Sequence, residues 1–284
     1  MKSSAPSISR RAFLALAASA ALTGGLGGAY AWRVEPNELV LEQPRVGLPR
    51  LPRALNGMTI GQLSDLHVGK WIAPETIVRA ADLLMTQKPH LIVLTGDLIS
   101  NSSRYAASCA SALAGLRAPL GVFAVLGNHD YYPGNIRETI GQFTRVGIRV
   151  LRNESVMLNA NGAAFALVGV DDVSDGHADP VKAFAGVARD LFKVALVHEP
   201  DYVDQLEAYG IDLQLSGHSH GGQVRLPILG AVVLNDYSER YPIGLQRTRS
   251  ATQVYTNRGI GMIGVPVRFL CPPEVTVLRL ETGA

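Results

Sequence analysis

A mixed α/β fold, with two mixed β-sheets packed as a sandwich and flanked by helices, is what the order of apolar and polar segments in these 284 residues predicts. Three observations carry it. Short apolar runs alternate with amphipathic helical stretches through residues 58–216, the pattern of buried strands joined by crossover helices. Toward the C-terminus further apolar runs follow with little helix between them, which calls for a second, more mixed sheet on the first. With 47% apolar and 18% charged residues, the chain can bury one sizeable core without disulfide staples or a structural metal.

The elements follow in order. Residues 32–56 form a Pro-rich lead-in (Pro36, Pro44, Pro49, Pro52). Met58 to Leu63 is the first strand and ends in Ser64-Asp65-Leu66-His67. Leu91 to Leu94 ends in Thr95-Gly96-Asp97, and Val122 to Leu126 in Gly127-Asn128-His129-Asp130. Val194 to Val197 ends in His198, and Leu213 to Leu215 in Ser216-Gly217-His218-Ser219-His220. Helical patterns occupy Pro74 to Thr86, Tyr105 to Leu116, Ile136 to Val146 and Asp201 to Tyr209. Ala164 to Val170, Val232 to Leu234, Gln253 to Tyr255 and Val275 to Leu280 are the remaining strands. No linker divides residues 57–284, which therefore read as one domain.

Charge is informative only by its position. The formal +2 rests on Lys2, Arg10 and Arg11, since residues 1–31 contain no acid; without them the chain carries −1. A basic surface for nucleic acid has no support. The three charges precede an uncharged run from Ala12 to Trp32, and Ala29-Tyr30-Ala31 supplies a small-x-small cleavage pattern. Ser9-Arg10-Arg11-Ala12-Phe13-Leu14 resembles a twin-arginine export signal. Residues 1–31 are thus expected to be a cleaved signal or a retained anchor, with the domain exported to the periplasm or the outer face of the cytoplasmic membrane. Cys109 and Cys271 are expected as buried small residues; nothing in the sequence brings them together.

In open α/β sheets ligands sit beyond the carboxyl ends of strands, where all five polar clusters lie. Five of the seven histidines (His67, His129, His198, His218, His220) stand there beside Asp65, Asp97, Asn128 and Asp130. One strand-end histidine would be an ordinary hydrogen-bonding group. Five, with carboxylates, an amide and no cysteine, form a ligand set suited to Mn²⁺, Fe or Zn²⁺. In extended backbone the pairs Asp65-x-His67 and His218-x-His220 would each point one way.

The ordered blocks D-x-H, G-D, G-N-H-D, H and G-H-x-H resemble the calcineurin-like metallophosphoesterases over about residues 57–280. The string Gly217 to Gln223, the stretch from Asn257 to Glu274 and the leader are similar to an exported bacterial branch of phosphodiesterases; Ser219, where Thr is commoner, is the one departure. The resemblance implies a four-layer fold and a site with two divalent metals. Asp65, His67 and His220 would bind one metal and Asn128, His198 and His218 the other, with Asp97 bridging. His129 would stand near the leaving group with Asp130 orienting it, and a metal-bridging hydroxide would attack in line. The implied substrate is a phosphodiester or pyrophosphate; a phosphomonoesterase or a non-catalytic metal-binding protein are the alternatives. The twin-arginine export machinery is the implied partner.

Two other motifs fail on context. Gly217-His218-Ser219-His220-Gly221 matches a serine-hydrolase elbow, but no histidine follows His220 to complete a triad. Gly259-x-Gly261-x-x-Gly264 matches a dinucleotide fingerprint, but Pro266 and the 20 residues after Gly264 leave no room for a βαβ unit, so these glycines are expected in a loop. The segment Gly259 to Pro273 has Arg268 as its single charge. It is expected either to pack on the core or to form an apolar wall for a lipid-linked phosphate or a membrane.

Overall fold

The structure, a computed structural model, describes residues 25–132 and 134–283. The paired arginines and most of the uncharged run assigned to an export leader lie outside these residues; Ala29-Tyr30-Ala31 lies within a helical stretch over 25–33.

Two sheets form the centre. The first is assembled from β1 (Val40–Glu42), β2 (Arg45–Leu48), β3 (Thr59–Leu63), β4 (Leu91–Thr95), β5 (Val122–Val125), β6 (Ile148–Val150) and β15 (Glu274–Thr282). Its order is β1-β15-β3-β4-β5-β6, with β2 also on β15. All these pairings are parallel except β15 with β3. The Pro-rich lead-in therefore supplies two strands to the sheet. The second sheet, in order β13-β14-β10-β9-β8-β7, uses β7 (Glu154–Ala160), β8 (Ala163–Gly169), β9 (Lys193–Leu196), β10 (Leu213–Ser216), β13 (Gly244–Arg247) and β14 (Gln253–Thr256). A small hairpin, β11 (Arg225–Leu226) with β12 (Gly230–Ala231), stands apart.

The layers follow from strand alternation. On β4, Leu91 and Val93 face the second sheet, joining Ile60, Phe165, Leu167, Val194 and Leu215, while Ile92 and Leu94 face helices. Those helices are α1 (Pro74–Thr86), α2 (Ala106–Ala112) and α4 (Ile136–Arg145); α3 is the single turn Asn128–Tyr131. α1 buries Ile77, Ala80, Ala81 and Leu84, one stripe at helical spacing, and starts with Pro74 at its first turn. The outer face of the second sheet packs Ala166, Val168, Ala195 and Val254 on Ala183, Phe184, Tyr202, Val203 and Leu206. Four layers result, helix, sheet, sheet and helix, in agreement with the predicted class.

Local differences have local causes. The helix expected over 201–209 is broken into three short turns, Pro200–Tyr202, Val203–Leu206 and Glu207–Tyr209, and stopped by left-handed Gly210. Val232 to Leu234 is not a strand: the hairpin strand ends at Ala231, beyond which the Val232 amide makes one more bond, to the Val224 carbonyl at 3.1 Å, and Val232 and Val233 are exposed. Both cysteines are buried and free.

Candidate metal centre

The carboxyl ends of β3, β4 and β5 meet those of β9 and β10, so both sheets deliver side chains to one point. Asp65 and His67 follow β3, Asp97 follows β4, and Asn128 and His129 follow β5; His198 follows β9, and His218 and His220 follow β10. Cross-sheet hydrogen bonds fix the junction. Gln62 Nε2 donates to the Ser216 carbonyl at 2.9 Å, and the His218 amide donates to Asp65 Oδ1 at 2.9 Å.

The backbone there is unusual. Asp65 (φ 48°), His67 (47°), Asp97 (53°), His218 (66°) and His220 (50°) all occupy the left-handed region, which non-glycine residues rarely adopt. The D-x-H and H-x-H pairs thus do not converge through the extended backbone expected of them. Left-handed turns aim them inward, and the strain is held by bonds such as His67 N–H to the Asp97 carbonyl at 3.0 Å.

Asp65, His67, Asp97 and His220 each place a ligand atom within 4.8 Å of the others, and all four are buried. Asp97 Oδ2 lies 3.3 Å from both His67 Nε2 and His198 Nε2, while Asp97 Oδ1 accepts from the His129 amide at 2.9 Å. His220 Nε2 is 3.3 Å from Asp65 Oδ1 and 3.1 Å from His67 Nε2. The second group of residues is oriented by its outer contacts. His198 Nδ1 donates to the Thr95 carbonyl at 2.7 Å, which leaves Nε2 directed at Asp97. His218 Nε2 donates to the Asp236 carbonyl at 2.9 Å, leaving Nδ1 buried without a partner. Asn128 Nδ2 donates to the Tyr132 hydroxyl at 2.6 Å, leaving Oδ1 likewise buried and unpartnered. Buried lone pairs without donors are costly unless something else satisfies them, and a divalent cation suits this oxygen and nitrogen set.

The electrostatics agree. Burial works against Asp97's charge, but His198 and His67 outweigh it and hold its carboxyl well below the usual carboxylate range. Burial also works against protonated His198, yet Asp97 lifts it well above an ordinary histidine; a cation on the same oxygen would displace that proton. His220 is pushed well down by burial and by His67, favouring the neutral ring that ligates.

His129 lines a cavity of about 420 Å³ together with Asp97, Asn128, Tyr132 and His218. Burial lowers its pKa to about 4. Its Nδ1 meets Asn101 Oδ1 at 2.8 Å, so the contact expected from Asp130 is made by a residue that the sequence did not single out. Asp130 turns away: Oδ1 accepts from the amides of Leu98 and Ile99 and Oδ2 from that of Gly127, pinning two site loops together. One residue cannot both cap this turn and reach an imidazole on the other side of it. Asn101 follows β4 in a Ser/Asn-rich loop that carries no sequence signal for it, and the structure holds it at a left-handed φ of 44°.

The remaining motifs are settled by packing. Ser219 Oγ donates to the Pro242 carbonyl and accepts from the Gly221 amide, so it is a turn residue rather than a nucleophile. Gly259 and Gly261 lie in a loop against Asp65 and His67, where a Cβ on Gly261 would sit 2.7 Å from the His67 Cβ. Arg268 is wholly buried and ties that loop down by donating to the carbonyls of Arg258, Gly259, Gly261 and Cys271. Asp172 faces Glu199 rather than Asp171, and burial together with Glu199's charge pushes its carboxyl up to about 9.

Comparison with known proteins gives the same picture. The profile of the calcineurin-like phosphoesterases matches residues 58–222. A Bacillus subtilis (strain 168) protein named uncharacterized metallophosphoesterase YkuE is 36% identical over 283 residues, covering 97% of this chain and 98% of that one. Phosphodiesterase YaeI of Escherichia coli (strain K12) is 34% identical over 277 residues, covering 96% and 99%. The crystal structure of TT1561 of Thermus thermophilus, 14% identical, shares the fold with a TM-score of 0.51 over 72% of this chain and 91% of that one. Matched by that profile over more than half its length and by two relatives along nearly all of it, the chain belongs to the calcineurin-like metallophosphoesterases, metal-dependent hydrolases of phosphoric esters.

Proposed function

We propose that the chain hydrolyses a phosphodiester or pyrophosphate linkage at the cell envelope. The observation that carries this reading is the convergence of buried donor atoms from both sheets on Asp97 Oδ2. Asp65, His67 and His220 would hold one divalent cation and Asn128, His198 and His218 a second, with Asp97 shared. Bound there, the cations would neutralise phosphoryl charge and make hydroxide available near neutral pH. The protein's own part is positioning. His129, neutral at rest and held at Nδ1 by Asn101, offers Nε2 to the leaving oxygen, where the charge of bound substrate favours the proton that Nε2 would pass on.

Preference for a diester is supported by the lining beside Asp97 and Asn128: that cavity of about 420 Å³ has no Lys or Arg among its described residues, while Lys70 and Arg104 line a second cavity that also borders His129. The 34% identical relative named a phosphodiesterase points the same way. The leader-like residues 1–31 are what supports envelope placement. The test is kcat/KM on bis-p-nitrophenyl phosphate against p-nitrophenyl phosphate, with Mn²⁺, Zn²⁺ or Fe²⁺ added. Higher kcat/KM on the monoester refutes the diester reading. Undiminished turnover by D97N after it has lost metal refutes the metal-dependent one.

A further inference from the structure

Three segments with little charge meet on one face beside the site. The hairpin run Leu226 to Leu234 has no charged residue, and the single charge of Gly259 to Pro273, Arg268, is turned inward and fully buried. The third is the end of the uncharged run from Ala12 to Trp32. Hydrogen bonds join them. Arg268 N–H donates to the Ala31 carbonyl at 2.9 Å, Arg225 N–H to the Phe269 carbonyl at 2.8 Å, and Gln223 Nε2 to the Val265 carbonyl at 2.9 Å. Between hairpin and loop lies an apolar groove of about 340 Å³, lined by Val224, Val232, Val233 and Val265 and reaching His220 of the metal centre.

The hairpin tip is built at a cost. Ile228 is entirely exposed (106% of its reference area) and Leu229 78% exposed. Leu229 N–H donates to the Pro227 carbonyl at 2.8 Å across Ile228, whose φ is 71°. That is the φ of a strained γ-turn, a place where glycine or asparagine would sit comfortably and a β-branched residue is an outlier. Neither packing nor turn geometry accounts for isoleucine there. An exposed apolar patch of this kind marks an interaction surface.

We propose that this face docks on a lipid bilayer, with Ile228 and Leu229 entering the interface and the groove opening toward the acyl chains. The occupant is indicated by chain continuity, because the uncharged run Ala12 to Trp32 arrives at this face through Ala31. Tyr30 and Trp32 are exposed there, and the Arg33 guanidinium lies 4.2 Å from the Trp32 ring; Trp, Tyr and Arg are residues of membrane interfaces. The surface stands independently of which ester the site cleaves.

The test places an environment-sensitive fluorophore on the full chain at Ile228→Cys, at Val265→Cys, and at Met157→Cys on edge strand β7. Both native cysteines are buried, so labelling goes to the introduced thiol, and all three positions are exposed. Added to vesicles of phosphatidylethanolamine and phosphatidylglycerol, the probes at 228 and 265 are expected to shift to the blue and brighten, and the probe at 157 to stay unchanged. Co-sedimentation with vesicles without a shift at 228 overturns the proposal, since the N-terminal run alone would then be the attachment. An equal shift at all three positions also overturns it. So does a blue-shifted probe without vesicles: dependence on protein concentration would assign the face to a second copy, and independence to the chain's own residues 1–24.

Discussion

Gly127→Ala should disable the site while leaving the fold nearly intact. Gly127 has φ −113°, a value any residue adopts, so backbone strain plays no part. The added Cβ would stand 2.6 Å from His198 Nε2 and closer still to Asp97 Oδ1. Ordinary contacts begin near 3.5 Å, so the carboxylate and imidazole must retreat by roughly 1 Å. Overpacking costs about 1–3 kcal/mol, offset by about 0.4–1 kcal/mol from a less flexible unfolded chain. The net loss of about 1–2 kcal/mol lowers Tm by only a few degrees at this chain length. A displacement of 1 Å in a catalytic group costs about 100-fold in rate. The assay is kcat/KM on bis-p-nitrophenyl phosphate with metal content by mass spectrometry, and Gly115→Ala, whose Cβ meets nothing within 4 Å, as control. A Gly127→Ala enzyme with full metal content and more than about a third of wild-type kcat/KM would refute the reasoning.

Three further outcomes are expected. Asn101→Ala, by freeing His129 Nδ1, should lower kcat about 10- to 100-fold with KM and metal content little changed; an unaltered kcat would remove Asn101 from the mechanism. Arg268→Met leaves four carbonyls short of a donor and should destabilise the chain by about 3–5 kcal/mol in urea titration, with metal loss because the loop on Asp65 and His67 is released; a loss below about 1 kcal/mol contradicts this. Asp172 has a folded pKa of about 9, above its unfolded value, so the folded chain holds a proton that the unfolded chain releases. Its contribution is complete below the unfolded carboxyl pKa and is lost as pH rises toward 9; Asp172→Asn, which mimics the protonated form, should show a smaller fall in urea midpoint between pH 6 and pH 9 than wild type. Parallel falls would show that Asp172 does not titrate there.

Much of this was legible in the linear sequence because strand ends and polar clusters coincide. Alternating apolar runs gave the strands of the sandwich core, and Asp65, His67, Asp97, His198, His218 and His220 stand out as chemistry-bearing residues at strand ends. The edge strands β1, β2, β6, β7 and β13 were not legible. Their burial patterns are mixed, as on β7 and β13, where half-buried and exposed residues alternate and sheet pairing rather than composition selects the conformation.

The sequence by itself determined the residue types, their order along the chain and, from them, the family and the chemistry available. Only the tertiary structure decided which atoms meet. Asp130 and His129 are neighbours in the chain but face different partners, whereas Asn101 and His129 meet across 28 positions. Asp171 bonds to Tyr131 and Arg152, while its chain neighbour Asp172 feels the charge of Glu199 instead. The reason is physical. Side-chain direction is set by local φ and ψ, and at this site Asp65, His67, Asp97, Asn101, His218 and His220 are held in a left-handed conformation that sequence pattern does not announce.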